Sequence, residues 1–489
     1  VGFKTDTSFL RFLSMGAIGV RQTIRQLDDM GFQAIELERY CGSNKIWTTK
    51  VKRLRLPDLL CVRTGLRIEV RAKSDLKIRM SDAPNNPDRR WDTGNRDDDL
   101  VALITSFDGP NGPESAREAV FFTFAALRAS VDTAKLGPPK SASEGAERDR
   151  TWPAVIPSRD GVVLAVDNQR ISVQMEGDGQ PPRKQTYTLN GKKAYVSPGD
   201  RFVGKASIVA GTPDALADVS ACLRQTYDPL AETLSINAVD RYAAAKALPH
   251  RDDLRQRAVT ALESLITRET DQRVHLEAAG SAAALGSGLG EERIRAILHD
   301  GNPEMRMEAA FILTELNNAF AKTELAAIAG SQDLAGNELR QAAVWGLGKT
   351  GLKAYRDILP FIDDEDENLA LHAIAGFGED TPDDVTNALV RDLLTGSPRR
   401  AASASETLRI INNATVLESL IAAAETGASG REWIVATLGR LPATIVKERL
   451  QGESLLGEIK PLLLLSEEEN WLCSEERSMD VSFLLKQNI

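Results

Sequence analysis

The stretch Leu56–Lys73, LPDLLCVRTGLRIEVRAK, decides the reading of the first third of the chain. Two apolar runs, PDLLCV and LRIEVRAK, flank Arg63-Thr64-Gly65, a turn signal, and together predict an antiparallel hairpin. Side chains alternate across a strand, so Leu66, Ile68, Val70 and Ala72 share one face while Arg67, Glu69, Arg71 and Lys73 share the other. With Thr64-Gly65 as a two-residue turn, Asp58 opposes Arg71 and lies diagonal to Glu69, roughly 7–8 Å away. Two carboxylates so placed can close on one divalent cation. The cationic side chains beside them suit metal-assisted phosphodiester hydrolysis, in which the ion activates water and Arg or Lys offsets charge on the phosphate. The plainer reading is a Pro-Asp strand start and a Glu69–Arg71 pair on a solvated sheet face.

Upstream, VRQTIRQLDDM (Val20–Met30) spaces Val20, Ile24 and Leu27 as a helical stripe, Gly31 ends the helix, and FQAIELERY reads as a strand. A polar, basic loop, CGSNKIWTTKVKRLR, follows. Lys45, Lys50, Lys52, Arg53 and Arg55 with Trp47 among them fit phosphate contacts and a base-stacking aromatic, or a plain exposed loop. Downstream, Arg79–Asp99 is too polar and Pro/Asn-rich for core. It reads as a substrate-binding loop with Arg89, Arg90 and Trp91 at its tip, or as a simple excursion. The run Asp97-Asp98-Asp99 could suggest a cation site, but adjacent carboxylates point in different directions on any regular element, so it reads as a cap on the element that begins at Leu100.

The order helix, strand, Gly-Ser loop, Pro-Asp, Glu-x-basic resembles the PD-(D/E)xK nuclease superfamily, closest to Holliday-junction resolvases and restriction endonucleases. The matching residues are Gly42-Ser43 after Arg39, Pro57-Asp58, and Glu69-Val70-Arg71-Ala72-Lys73, within a core of about 60 of the 489 residues. The resemblance implies an α/β restriction-endonuclease-like domain with Asp58, Glu69, Arg71 and Lys73 as the catalytic group. Asp58 and Glu69, with the Val70 carbonyl, would hold Mg²⁺ (or Mn²⁺). Ser43, Lys45, Trp47, Lys50, Lys52, Arg53, Arg55 and Arg79 would contact DNA. Two positions depart from the family. Arg71 stands where the family has Lys, and Arg cannot act as a base; Lys73, one pleat further on the same face, can substitute. On the first helix, Gln22 or Val20 stands where a Glu is expected, and Asp28 and Asp29 lie at the wrong end.

Charge supports this placement. The first 80 residues hold 16 basic and 8 acidic side chains, a balance of +8, within a chain of net charge −10. A basic segment on an otherwise acidic chain is the footprint of a confined nucleic-acid surface, or of a solvated charged face. All four histidines lie at or beyond His250, so chemistry in the first half must use carboxylates, Lys and Arg. Cys41, Cys61, Cys222 and Cys473 form no CxxC pair, which disfavours a zinc site or disulfide framework and points to the cytosol. No run approaches the ~18–20 apolar residues of a membrane span, and the N-terminus carries no signal-peptide pattern.

Beyond the hairpin domain (1–135), LGPPKSASEGAERDR reads as a linker (136–150), and 151–211 as an all-β module of short strands between turns such as Asn190-Gly191 and Pro198-Gly199-Asp200. This module resembles barrel-sandwich elements through V-x-x-G-D-x-x-x-G, from Val196 to Gly204. That resemblance implies a spacer or docking role; Lys192-Lys193 lacks the context of a modified carrier lysine. From 212 to 489 the pattern is helical and repeats. Small residues recur at Ala279, Ala310, Ala343, Ala373 and Ala404, then Ile434, at intervals of 31, 33, 30, 31 and 30 residues. One helical hairpin per repeat needs a neighbour to bury its stripe. The series resembles HEAT repeats, an α-solenoid.

The expected protein is thus a cytoplasmic, Mg²⁺-dependent DNA endonuclease whose solenoid binds a protein partner, self-associates or senses substrate. By analogy alone, such a combination fits prokaryotic defence or repair. Two alternatives stand beside it: a nuclease fold that grips nucleic acid without cleaving it, and a protein-interaction adaptor.

Overall fold

The computed structural model describes residues 7–37, 47, 49, 54–109, 112–140, 147–177, 181–216, 218–334, 337–348, 351–425 and 430–472. The β-rich half opens with helix α1 (Thr7–Asp29), longer than its apolar stripe suggested. It stops at Gly31, whose φ of 94° is available to glycine without a Cβ penalty. Strands β1 (Ala34–Glu36), β2 (Leu59–Cys61) and β3 (Arg67–Lys73) then form an antiparallel meander. After β4 (Arg79–Asp82), strand β5 (Leu100–Gly109) returns parallel to β3, with β6 (Gly112–Ser115) and β7 (Val120–Thr123) antiparallel to β5.

The predicted face alternation on β3 positions everything that follows. Helix α1 covers the apolar face so closely that a Cβ on Gly19 would lie 2.5 Å from the Ala72 Cβ. On the opposite face, Val101 and Leu103 of β5 pack into a core with Phe122, Phe124, Trp152 and Trp91. Trp91 is therefore not a loop tip: its ring stacks on Phe124 and meets Trp152 edge-on. The excursion between β3 and β5 is polar at its ends and carries an apolar anchor in the middle.

Arg67, at the start of β3, is buried on that same polar face. It gives Nε to Asp99 at 2.9 Å, Nη2 to Asp99 at 2.5 Å and Nη1 to Asp240 at 3.1 Å. Asp99 also accepts from the Arg96 backbone, so the acidic run caps the entry to β5 and neutralises a buried guanidinium at once.

Helix α2 (Phe124–Ala129) follows β7, and then the stretch expected as a linker supplies two strands. These are β8 (Lys135–Pro139) and β9 (Arg148–Thr151), with β9 between β4 and β8 in a second sheet. Alternating charges hold it: Arg150 Nη2 lies 2.7 Å from the buried Asp82 Oδ2, and Lys140 Nζ lies 2.8 Å from Asp149 Oδ1. A charge alternation that lacks apolar residues looks like linker composition.

The next module carries β10 (Ala154–Val155), β11 (Gly161–Val166), β12 (Arg170–Met175), β13 (Arg183–Thr188), β14 (Lys193–Ala194), β15 (Arg201–Phe202) and β16 (Ala210–Gly211). Its two small sheets, β13-β12-β11-β15 and β10-β16-β14, share a core of Val163, Ile171, Val173, Met175, Leu189, Phe202 and Val209. Asn190 and Gly191 both take positive φ, as their turn requires.

The helical half runs through α3 (Pro229–Glu232), α4 (Ala238–Ala247), α5 (Arg255–Arg268), α6 (Gln272–Ala284), α7 (Gly288–Asp300), α8 (Pro303–Glu315), α9 (Ala319–Gly330) and α10 (Glu338–Gly348). It continues with α11 (Tyr355–Ile358), α12 (Glu367–Ala375), α13 (Asp383–Thr395), α14 (Pro398–Ile411), α15 (Ala414–Glu425), α16 (Arg431–Leu438), α17 (Ala443–Arg449) and α18 (Ser454–Leu472). The repeat anchors Ala279, Ala310, Ala343, Ala373, Ala404 and Ile434 fall on α6, α8, α10, α12, α14 and α16, and every one is fully buried. These alternate helices contact one another in series, each also packing on an intervening helix. Close approach explains the small residues: a Cβ on Gly280 would meet Ile312 at 2.5 Å, and one on Gly346 would meet Thr314 at 2.4 Å.

The chain divides into two compact units, residues 12–38 with 53–261, and residues 1–11 and 39–52 with 262–489. Helix α4 belongs with the sheets because Asp240 binds Arg67 and Lys246 Nζ donates to the Leu37 carbonyl. Of the stretch 39–52, the described residues Trp47 and Thr49 contact repeat helices. No described helix is long and apolar enough to cross a membrane.

Candidate active site

The site grows from the register of β2 on β3. Leu59 pairs with Ile68 and Leu60 with Arg67, so Asp58 stands opposite Glu69 rather than Arg71. The connection is a four-residue turn, Val62-Arg63-Thr64-Gly65, closed by Gly65 N–H to the Cys61 carbonyl, and this moves the register by two from the two-residue reading. Side-chain faces survive a shift of two, so Asp58 and Glu69 still share a face and lie closer than the expected diagonal.

Pro57 has no N–H to extend the ladder, and the side chain of Asp58 takes over there. Its Oδ2 accepts the Val70 N–H at 2.6 Å, which fixes the carboxylate against β3. Glu69 is half-buried and engages its strand neighbour: Arg71 Nη2 lies 2.5 Å from Glu69 Oε1. Arg55, half-buried, feels Glu69 as its leading favourable charge and Arg71 and Arg89 as its repulsive ones; desolvation is the largest influence and lowers its pKa. Lys73, one pleat beyond Arg71, is held below the ordinary lysine value by desolvation first, then by Arg71, Arg79 and Lys140. Arg79 donates to Asp75 at 3.1 Å and reaches Asp149 at 3.5 Å.

The structure therefore brings together Asp58, Glu69, Arg71 and Arg55, with Lys73 and Arg79 on the adjoining ground. Lys140 and Arg89 join this cationic surround. Lys140 lies in a stretch whose composition is that of a linker, and the alternating RDRT of β9 is the sequence signal for its strand partner. Gln22, where a carboxylate was sought on α1, donates instead to the Arg117 carbonyl at 2.8 Å. Ser43, Lys45, Lys50, Lys52 and Arg53 lie outside the described residues. Trp47 is not a base-stacking aromatic: only 4% exposed, it packs among the repeat helices.

Among the described residues, no group of three or more His, Cys, Asp or Glu side chains is placed to hold a metal ion. The donor set at the hairpin is a facing pair of hard carboxylates. That pair fits Mg²⁺, which keeps several waters and is bound through one or two carboxylates together with substrate phosphate oxygens.

No family model matches the chain, and no curated protein matches it.

Proposed function

We propose that the chain is a Mg²⁺-dependent DNA endonuclease with a restriction-endonuclease-like fold, whose HEAT-like repeats bind a protein partner, in a cytoplasmic defence or repair setting. What carries the reading is the facing pair Asp58 and Glu69 on one sheet surface, bordered by Arg55, Arg71, Lys73 and Arg79. Asp58, Glu69 and the Val70 carbonyl would hold the ion. A divalent ion so held supplies Lewis-acid stabilisation of the scissile phosphate and eases ionisation of the attacking water. The chain's own residues then divide the remaining work. Arg71 and Arg55, always protonated, clamp phosphate oxygens. Lys73, a compact cation at the exposed end of the same face, would orient the water. Arg79 anchors the backbone further along.

The test is cleavage of linear, branched and single-stranded DNA with Mg²⁺ or Mn²⁺ by wild type, Asp58→Ala and Glu69→Ala. Cleavage by wild type alone supports the reading, and no cleavage of any substrate sinks it. The second reading, a nucleic-acid-binding scaffold, is favoured by one observation: Glu69 is engaged by Arg71. Such a scaffold binds DNA equally with and without metal.

A further inference from the structure

The stretch of linker composition builds, together with β4, a sheet whose outer face is basic. Met80 and Asp82 of β4 are buried, so the alternating Arg79 and Ser81 point outward. The register sets Thr151 beside Arg79 and Asp149 beside Ser81, and Lys135 pairs with Thr151 from the other side. One rung therefore reads Lys135, Thr151, Arg79 across the sheet. Lys140, just past β8, reaches the next rung: its Nζ lies 2.8 Å from Asp149 Oδ1 and donates to Ser81 Oγ at 2.9 Å. Arg79 is steadied from two sides, by Asp75 at 3.1 Å and Asp149 at 3.5 Å.

This face adjoins the candidate site. After desolvation, Lys73 at the end of β3 feels Arg71, Arg79 and Lys140 together, so the polar face of β3 runs on into the second sheet. Lys73, Lys77, Arg79, Lys135 and Lys140 stand against Asp75 and Asp149, an excess of three positive charges. Lys135 and Lys140 are exposed. Among the described residues of this face none is aromatic, and Trp91 and Trp152 lie with Met80 in the core. A single strand is gripped by stacking its bases on aromatic rings, whereas a duplex hides its bases and presents phosphates. Cations and hydroxyls without a ring therefore suit the duplex backbone. At ~4.8 Å per strand the outer strands stand about 10 Å apart, which spans about three phosphates of one DNA strand at a rise of ~3.4 Å.

We propose that the outer face of β4, β9 and β8 binds the phosphate backbone of duplex DNA through Arg79, Lys135 and Lys140, as a sequence-independent grip beside Asp58 and Glu69. The choice of DNA rests on the function proposed above; the grip itself needs neither metal nor cleavage. Asp149 holds Lys140 and Arg79 in place before a phosphate arrives, so less side-chain freedom is lost on binding. Contacts of this kind fix the position of a duplex and read no bases.

The experiment measures binding of the full chain to a short duplex, and to one of its strands, in EDTA over a series of salt concentrations. Lys135→Gln and Lys140→Gln keep the side-chain length and drop the charge. Each should weaken duplex binding and flatten the slope of log K against log salt by about 0.9, and the double variant by about 1.8. Lys140→Arg should bind as wild type does. Lys184→Gln, the same charge change on the exposed strand β13, should leave the slope as it is. An unchanged slope in the folded double variant, beside a wild type that holds duplex, would overturn the grip and leave the proposed function untouched. So would failure of wild type to retain duplex at low ionic strength overturn it. Preference for the single strand, reduced in the same variants, would overturn the assignment to duplex. Weaker binding by the variants, beside a wild type that cleaves nothing with Mg²⁺, would support the grip and count against the proposed function.

Discussion

Arg71 holds Glu69 through an ion pair of 2.5 Å between Nη2 and Oε1, two residues apart on the polar face of β3. An arginine so engaged organises a carboxylate, and in the proposed reaction Lys73 is the remaining cation on that face to orient the attacking water. Lys73→Ala should therefore abolish cleavage, by on the order of 10²-fold or more, while Arg71→Lys retains most of it. Single-turnover cleavage by the two variants beside wild type decides the matter. The reverse pattern would make Arg71 the residue that counts.

Asp58 has two separable duties, its charge and its acceptance of the Val70 N–H at 2.6 Å. Asp58→Asn should lose Mn²⁺ binding yet cost about 1 kcal/mol or less in stability, because the amide oxygen still accepts the bond. Asp58→Ala should lose both, at about 1–3 kcal/mol, by stranding a backbone donor. Mn²⁺ titration and urea melts of the pair separate the duties. Equal metal affinity in Asp58→Asn and wild type would remove Asp58 from any cation site.

The seat of α1 on β3 has no room for a methyl group at Gly19, since its Cβ would lie 2.5 Å from the Ala72 Cβ and 3.0 Å from Ile104 Cγ2. Gly19→Ala should destabilise by about 1–3 kcal/mol through overpacking. Adding Ala72→Gly should recover part of that loss despite the strand cost of glycine. Thermal melts of both single variants and the double variant test this. Additive losses would mean the helix shifts elsewhere to accommodate the methyl.

Burial among α10, α12 and Trp47 pushes the His372 imidazole down to about 4 from its ordinary 6.5, against the pull of the Asn368 carbonyl, Asp366 and Glu338. The unfolded chain thus binds the extra proton first. The native state keeps its full stability above about 6.5 and loses it as pH falls towards 4, by about 3 kcal/mol in all. Between pH 7 and 5 wild type should lose about 2 kcal/mol that His372→Gln does not lose. Urea unfolding followed by exchange protection of α12 measures it, and parallel losses in both proteins would show that His372 is not the titrating group.

Periodic features were legible from residues alone. The small-residue anchors predicted alternate buried helices, and the alternation on β3 predicted which side chains share a face, because both depend only on local spacing. Register was less legible. Thr64-Gly65 has the look of a two-residue turn, but Gly65, at φ 70°, closes a four-residue one and packs beneath Tyr227, from a distant part of the chain. Trp47 and Trp91 were misplaced for a common reason. An indole among charged residues reads the same whether its apolar partner is a nucleobase or its own protein, and nothing local names Phe311 or Trp152 as that partner.

The socket of Trp47 has a consequence for how the protein is made. His372 is synthesised about 325 residues after Trp47, an interval on the order of 16–65 s at about 5–20 residues per second. Strands β1 to β9 are all out of the ribosome long before that, so the sheet bearing Asp58 and Glu69 can close while the indole still has nowhere to go. The hairpin can thus be built while the indole's partner is still unmade, and the attachment of Trp47 waits on helix α12, translated well after the strands.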